Sequence, residues 1–266
     1  VFFAKELQLL LRYIGASDAN MEKGEMRVEA NVSVSQYQEL GMKVVVKNLI
    51  SFKSVDRAIA YEIKRQSELL DKGEKIVQET RGWDENKGKT FSQRIKEESH
   101  DYRYFPDPDL PKLYISEIPE FSEENLKKEL PELPWSRRER YKKEFEITDE
   151  DIEMYVQNKK FGNLFENITK ELLPDKKLIK LASNYIASDL RNLIGDDVGT
   201  FADKTASFAK LMRMIQGGEI SSRGAKDILA VMVSRGGEPE IIAKEMNLVQ
   251  KSDEGELNGI IEKIIT

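Results

Sequence analysis

Strict alternation of apolar and polar side chains over residues 25–35 is the feature that most limits how this chain can fold. One face of the segment carries Met26, Val28, Ala30, Val32 and Val34, and the other carries Glu25, Arg27, Glu29, Asn31, Ser33 and Ser35. Successive side chains of a β-strand point to opposite faces. The period of two therefore predicts a strand with one face in a hydrophobic core and one polar face.

The segments that follow predict a sheet crossed by one helix. Residues 42–48 form a second predicted strand, with Lys43, Val45 and Lys47 on one face. Apolar residues at helical spacing predict a helix over 55–70, and Gly73 is its stop signal. Residues 75–83 and 90–96 are predicted to form a hairpin, because Asn86 and Gly88 suit the turn between them. Together with a buried helix over 1–13, this makes the first part of the chain α+β.

The pattern changes after Ile118, where the sequence predicts helices and no further strand. A helical stretch over 122–145 is interrupted by Pro131 and Pro134, and an amphipathic helix is predicted over 175–193. Residues 195–205 contain three acidic residues and two glycines, which makes them the best linker candidate. The fold class predicted for the whole chain is α+β, with a sheet-containing domain followed by all-α domains.

Composition excludes several classes of protein. The 266 residues include no cysteine, which excludes disulfides and thiolate metal sites. No apolar run approaches the length of a membrane span. A net charge of −6 argues against indiscriminate nucleic-acid binding. The window 205–236 is nevertheless locally positive, because it holds five basic and two acidic residues.

Residues 78–111 combine charges of both signs with aromatic residues and prolines. The charged members include Glu79, Arg81, Arg94, Lys96, Glu97, Asp101 and Arg103. Enclosed charges are costly unless they pair with one another or bind a charged ligand. The stretch therefore predicts either one wall of a polar site or a hairpin with structural salt bridges, and its residues alone leave both open.

Several segments, taken in order, resemble the GatB component of the aspartyl/glutamyl-tRNA amidotransferases. They are LRYIGASDANMEKGEMRVEANVSV, KNLISF with YEIKRQSELL, QETRGWDENKGKT, HDYRYFPDPDLP, PELPWSRRERY, SSRGAKDIL and the RGG…LVQ pattern of the tail. HDYRYFPDPDLP is the most specific of them. The resemblance extends over essentially the whole chain.

The resemblance implies three domains and an ATP- and Mg²⁺-dependent activity. It assigns residues 1–118 to the C-terminal half of an antiparallel-sheet cradle with kinase function, 119–200 to a helical domain and 201–266 to part of a YqeY-like tail. The family phosphorylates the side-chain carboxylate of Glu-tRNA(Gln) or Asp-tRNA(Asn), and channelled ammonia then replaces the phosphate. The implied partners are the glutamine-using amidase component, the small stabilising component of the heterotrimer and the mischarged tRNA. The implied location is the cytoplasm or an organellar matrix.

The resemblance also suggests which residues act. Candidate catalytic residues are Glu29, Lys43, Lys47, Glu79, Arg81, Arg94, Lys96, Asp101 and Arg103, and candidate cofactor-binding residues are Arg27, Asn31 and Asn48. Candidate tRNA-binding residues are Arg213, Arg223, Lys226 and Arg235. Without the resemblance, a solvent-facing strand edge is the better explanation of Arg27, Glu29 and Asn31, and a solvated helical surface is the better explanation of the four tail residues. The single histidine, His100, is more simply explained as structural than as catalytic.

Two departures from the family pattern bear on activity. The family places an acidic metal ligand between the two lysines of its KNL strand, where this chain has Val45. Valine cannot ligate Mg²⁺, so metal binding is expected to be weakened or rearranged, unless Val45 simply belongs to a strand buried on both sides. The chain is also expected to be a fragment that lacks the family's opening segment and does not activate Glu-tRNA alone. The alternative function is a non-catalytic tRNA-binding or assembly piece.

Overall fold

The computed structural model describes residues 1–95 and 108–250, without the side chains of Arg94 and Ile95. The chain divides into two compact units, Val1–Leu133 and Pro134–Thr266. The elements of the first unit are α1 (Phe2–Tyr13), β1 (Val28–Val32), β2 (Val44–Leu49), α2 (Phe52–Asp71), β3 (Glu79–Asp84), β4 (Lys89–Ile95), two short 3₁₀ turns (Ile115–Glu117, Pro119–Phe121) and α3 (Glu123–Glu129).

The four strands form one mixed sheet in the order β1-β2-β3-β4. β1 pairs antiparallel with β2, β2 pairs parallel with β3, and β3 pairs antiparallel with β4. The predicted α+β class is confirmed. The predicted antiparallel sheet is wrong at the β2–β3 pair, because α2 crosses over between these strands and a crossover makes neighbouring strands parallel.

One face of the sheet packs against α2. Ala30 and Val32 of β1, Val46 and Leu49 of β2 and Trp83 of β3 form a core with Val55 and Ala58 of α2. The alternation predicted for β1 is confirmed, since Ala30 and Val32 are buried while Glu29 and Asn31 are exposed. The opposite face of the sheet therefore carries the polar side chains of β1.

Helix α2 begins at Phe52, three residues before the predicted start, and ends at Asp71, one residue after the predicted end. The Ser51 side chain accepts a hydrogen bond from the backbone N–H of Ser54 at the start of the helix. After the helix, Gly73 has a φ of +72°, a left-handed conformation that glycine adopts without strain. The buried side of α2 includes two polar residues, Glu62 and Gln66, which matter for the site below.

The second unit is helical in its described part. Its α-helices are α4 (Pro134–Glu144), α5 (Asp149–Gln157), α6 (Lys159–Leu172), α7 (Lys176–Tyr185), α8 (Arg191–Ile194), α9 (Thr205–Gln216), α10 (Ser222–Arg235) and α11 (Pro239–Glu245). A π-helical turn (Ile186–Leu190) joins α7 to α8, and a 3₁₀ turn (Val198–Phe201) precedes α9. None of the described helices combines the length and apolar character that a membrane crossing needs.

Aromatic side chains dominate the core of this unit. Tyr141, Phe145, Tyr155 and Phe165 are all buried and contact one another edge-on or stacked. The predicted linker over 195–205 is packed rather than extended, because Phe201 within it is fully buried against Phe208. The domain boundaries at 118/119 and 200/201 stay predictions.

Candidate functional site

A β-bulge on the polar face of the sheet brings four of the predicted site residues together. Val28 pairs with Leu49 and Ala30 with Val46, so Glu29 of β1 lies opposite two residues of β2, Lys47 and Asn48. Asn48 accommodates the extra residue with a φ of +62°. Asparagine is one of the few residues that tolerates this left-handed conformation. Bulges of this kind bend a strand and redirect its side chains, often beside active sites.

The bulge forms an exposed ion pair at the edge of a shallow concavity. Lys47 Nζ lies 3.0 Å from Glu29 Oε1, and the two side chains remain 41% and 48% exposed. A concavity of about 400 Å³ is lined by Arg27, Glu29, Lys47 and Asn48 together with apolar neighbours. Two cations, one amide and one carboxylate thus converge on one open surface.

The remaining polar-face candidates lie one step further along the strands. Asn31 is exposed and stands opposite Val45 in the β1–β2 register, and Lys43 is exposed just before β2 begins. Val45 itself is only 4% exposed, with Thr80 of β3 opposite it on its other side. Val44, Val45 and Val46 are all buried, which is the arrangement of a strand buried on both faces. In this arrangement a valine at position 45 has an ordinary packing role.

Glu79 and Arg81 lie on the other face of the sheet, toward α2. Arg81 is 13% exposed, pairs with Glu79 and with Glu62 of α2 (Nε to Oε1, 3.2 Å), and donates to Thr90 Oγ1 at 2.9 Å and Thr90 O at 3.1 Å. Ser92 donates to the second oxygen of Glu79. These contacts match the salt-bridged alternative for the charged hairpin. Glu79 and Arg81 therefore lie on the opposite face of the sheet from Lys47.

Glu62 is the centre of this buried network and was not predicted from the sequence. It is fully buried and is held by Arg65 (Nη2 to Oε2, 2.9 Å), Gln66 (Nε2 to Oε2, 3.1 Å), Arg81 and Thr90. Burial by itself acts to raise the pKa of Glu62, but the hydrogen bonds from Arg65, Thr90 and Gln66 outweigh burial and hold the pKa below its ordinary value. The negative charges of Glu62 and Glu79 are matched by the positive charges of Arg65 and Arg81, so the network has no net charge. One feature of the sequence could have indicated this role. Glu62 falls on the face of the predicted helix that carries the apolar residues Val55 and Ile59.

The other hairpin candidates are only partly described. In the backbone register, Arg94 is opposite Thr80 and Ser92 is opposite Arg81, with a bulge between. The register therefore pairs Arg94 with neither Glu79 nor Arg81. Lys96, Glu97, His100, Asp101 and Arg103 lie outside the described residues. Within residues 1–95 and 108–250, no group of three or more His, Cys, Asp or Glu side chains is placed to hold a metal ion.

The four tail candidates are exposed and each has a partner within the second unit. Lys226 Nζ pairs with Asp189 Oδ1 at 2.9 Å, Arg235 pairs with Glu245, and Arg223 Nε lies 3.8 Å from Asp227 Oδ2. Arg213 donates to the backbone carbonyl of Glu171. The hydrogen bond to Asp189 raises the pKa of Lys226. Exposed pairs of this kind contribute little stability and exchange readily for other anions.

Comparison with known proteins finds a matching family model in each of the two units. The family model described as the GatB/GatE catalytic domain matches residues 1–119, and the one described as the GatB domain matches residues 163–266. The chain belongs to the GatB family. The predicted family is thereby confirmed. The matched residues include the sheet of the first unit and the helices of the tail.

Individual GatB relatives align along nearly the whole chain. The B components of the aspartyl/glutamyl-tRNA(Asn/Gln) amidotransferases of Persephonella marina and Rickettsia conorii are each 41% identical to it, over 268 and 267 residues. The corresponding protein of Carboxydothermus hydrogenoformans is 37% identical over 268 residues. Each alignment includes 99% of this chain but only 54–55% of the relative. The chain spans about half the length of the curated relatives it matches.

Proposed function

We propose that the chain acts in the carboxylate-activating step of a glutamine-dependent tRNA amidotransferase. In this step an oxygen of the side-chain carboxylate of Glu-tRNA(Gln) or Asp-tRNA(Asn) attacks the γ-phosphorus of ATP, and the bond to the ADP oxygen breaks. Ammonia then attacks the acyl carbon, phosphate leaves, and Gln-tRNA(Gln) or Asn-tRNA(Asn) results. The proposed partners are the amidase component, which releases ammonia from glutamine, and the small stabilising component of the same enzyme.

The observation that carries the proposal is the Lys47–Glu29 pair at the bulge, beside Arg27 and Asn48. Phosphoryl transfer depends on positioning and on neutralising charge around the phosphate oxygens. Lys47 and Arg27 supply positive charge, and the Asn48 amide supplies further hydrogen-bond donors. Because the Lys47–Glu29 pair is half exposed, its net contribution is on the order of 1 kcal/mol or less. Lys47 can therefore exchange Glu29 for a phosphate oxygen at little cost.

The donor set fits the phosphates of ATP better than it fits Mg²⁺. When bound, ATP supplies the transferred phosphoryl group and Mg²⁺ neutralises charge on it. Magnesium requires near-octahedral oxygen coordination and is held in proteins through carboxylates. Among the described residues, Glu29 is the one carboxylate that lines the concavity, and it already faces Lys47. The described residues therefore offer at most one carboxylate ligand for the metal at this place, and Val45 offers none.

Equilibrium dialysis of ATP against the chain, with Mg²⁺ present, tests the proposal. Replacing Lys47 by alanine should weaken ATP binding about tenfold or more, because a charge-assisted contact to phosphate contributes roughly 1.5–3 kcal/mol. Lys53→Ala is the matched control, since Lys53 is an exposed lysine on α2, which packs on the opposite face of the sheet. Equal ATP binding by the parent chain and the Lys47 variant would contradict the proposed site.

A non-catalytic role in holding tRNA is the second candidate, and Val45 favours it. The family pattern places an acid at that position, whereas here the side chain is packed into the sheet. In this role Arg223, Lys226 and Arg235 would exchange their surface carboxylates for phosphates of the RNA backbone, and Arg213 would exchange the backbone carbonyl of Glu171. The two functions separate in one comparison. Binding of mischarged tRNA without binding of ATP supports the holding role, and binding of both supports the activating role.

A further inference from the structure

A single row of residues crosses the polar face of the sheet from β1 to β4. Glu29 faces Lys47, Lys47 is in register with Gly82 of β3, and Gly82 is in register with Phe91 of β4. The neighbours of these residues, Ala30, Val46 and Trp83, lie in the core on the α2 side. Residues in register share a face, so all four positions of the row face away from α2.

The absence of a side chain at Gly82 creates a space that Phe91 occupies. A Cβ atom at position 82 would lie 2.6 Å from Phe91 Cζ and 2.7 Å from Gln93 Nε2. Both distances are far below van der Waals contact. The phenyl ring therefore lies over the backbone of β3, leaning from β4 toward β2. A ring that instead stood upright from the sheet would leave Gly82 uncovered.

Phe91 is 44% exposed on this polar face of the sheet. An aromatic side chain of this size contributes most when its faces are covered, and the described residues cover Phe91 only in part. Its polar surroundings are Gln93 on the same strand and the Lys47–Glu29 pair two strands away. An exposed ring of this kind presents a flat apolar surface of the sort on which a nucleotide base stacks.

We propose that Phe91 is a stacking platform for the base of a nucleoside triphosphate whose phosphates bind at Lys47, Arg27 and Asn48. Neighbouring strands lie about 4.8 Å apart, so the Phe91 and Lys47 backbones are about 10 Å apart across β3. The ribose and first phosphate of the nucleotide bridge this interval. The inference deepens the proposed function and depends on it, because the phosphate end is the cluster assigned there. Gly82 has a positioning role, since it lets the ring lie flat.

Two probes separate the base from the phosphates. ATP carries both parts, whereas inorganic tripolyphosphate carries only the charged part. We expect Phe91→Ala to weaken ATP binding about tenfold and to leave tripolyphosphate binding unchanged, because stacking on an aromatic ring contributes on the order of 1–3 kcal/mol per base. Lys47→Ala should weaken the binding of both probes. Binding is measured by isothermal calorimetry on the whole chain.

Matched variants test the geometry. Phe91→Tyr keeps an aromatic face and should bind ATP within about twofold of the parent chain. Phe121→Ala removes a similarly exposed phenylalanine elsewhere in the first unit and should change nothing. Gly82→Ala keeps Phe91 but displaces its ring, so it should weaken ATP binding while tripolyphosphate binding stays intact. Thermal melting of each variant checks that the unit remains folded.

The failures of the two proposals are distinguishable. ATP binding that depends on Lys47 but is unchanged in Phe91→Ala would overturn the stacking platform and leave the proposed function standing. Equal losses of ATP and tripolyphosphate binding in Phe91→Ala would overturn it too, because they would indicate a distorted sheet. If the parent chain binds neither probe, both proposals fail. Loss of binding to the dinucleotide ApA, with ATP binding unchanged, would assign the ring to RNA instead.

Discussion

At the scale of single residues, the two most informative positions are close neighbours in β2. Val45 occupies the place of an acid in the family pattern, yet it is packed between Asn31 and Thr80 in register. Asn48 adopts a left-handed conformation that creates the bulge opposite Glu29. One residue therefore fills the space between its neighbours with an apolar side chain, and the other shapes the polar face beside Glu29.

Val45→Glu is expected to destabilise the first unit rather than restore a metal site. The introduced carboxylate would be buried at a position 4% exposed, which costs roughly 1–3 kcal/mol. Urea denaturation with and without Mg²⁺ measures the effect, and Val77→Glu, at a valine that is 56% exposed, is the control. If Mg²⁺ stabilises the Val45 variant but not the parent chain, the carboxylate has formed a metal site and the packing interpretation is wrong.

Asn48→Ala and Asn48→Gly should differ in stability because of backbone conformation. Alanine is destabilised by about 1 kcal/mol in the left-handed region, whereas glycine adopts it freely. Both substitutions remove the amide, so the difference in the free energy of unfolding reports the backbone preferences of the two residues rather than the lost hydrogen bonds of the amide. Equal denaturation midpoints for the two variants would indicate that the bulge relaxes when Asn48 is replaced.

At the scale of elements, α2 and the β3–β4 hairpin are joined by a buried polar network. Glu62 is bonded from its own helix by Arg65 and Gln66 and from the sheet by Arg81 and Thr90. The Gln66 side chain also binds the end of β1, where it donates to Val32 O and accepts from the backbone N–H of Val34. The buried charges of the hairpin thus serve chiefly to hold α2 against the sheet.

Glu62→Gln should lower the stability of the first unit by about 3 kcal/mol at neutral pH, because it removes the charged partner of Arg65 and leaves Arg81 paired with Glu79 alone. Since the folded-state pKa of Glu62 is lowered, its ionised form stabilises the fold above the unfolded-state pKa, and this contribution is lost as the pH falls through the folded-state value. The difference between parent and variant should therefore shrink in acid. Denaturation between about pH 7 and pH 3 tests this, with Glu68→Gln on the exposed side of α2 as control.

At the scale of the whole molecule, the two compact units have separate cores. The first is built from the sheet and α2, and the second from the aromatic cluster of its helices. Units of this size with independent cores are expected to unfold as separate cooperative transitions.

Scanning calorimetry of two variants tests this independence. Glu62→Gln should move one transition only. Phe165→Ala should move the other, because it empties a fully buried site at a cost of about 3–5 kcal/mol. A single transition displaced by both substitutions would mean that the units unfold together.

Local patterns predicted much of the fold but less of the site. The alternation over 25–35 and the spacing over 55–70 predicted β1 and α2, because burial of one face imposes a fixed period on the residues. Arg27, Glu29, Lys47 and Asn48 were also predicted, and the structure brings them together. Arg81 was predicted on a charged surface, but its partner Glu62 is 19 positions earlier in the chain, and no local period records such a pairing.

By itself, the sequence determined the family, the class of fold and the polar face of β1, since each depends on residue order or on a period that a short segment contains. Only the tertiary structure decided which charges are available to a ligand. Strand register and the crossover of α2 assign Glu79 and Arg81 to a closed, neutral network, and Lys47 to an open face. The same register places Phe91 over Gly82. The physical reason is that adjacent residues of a strand face opposite sides, so partners are chosen by pairing across strands rather than by proximity along the chain.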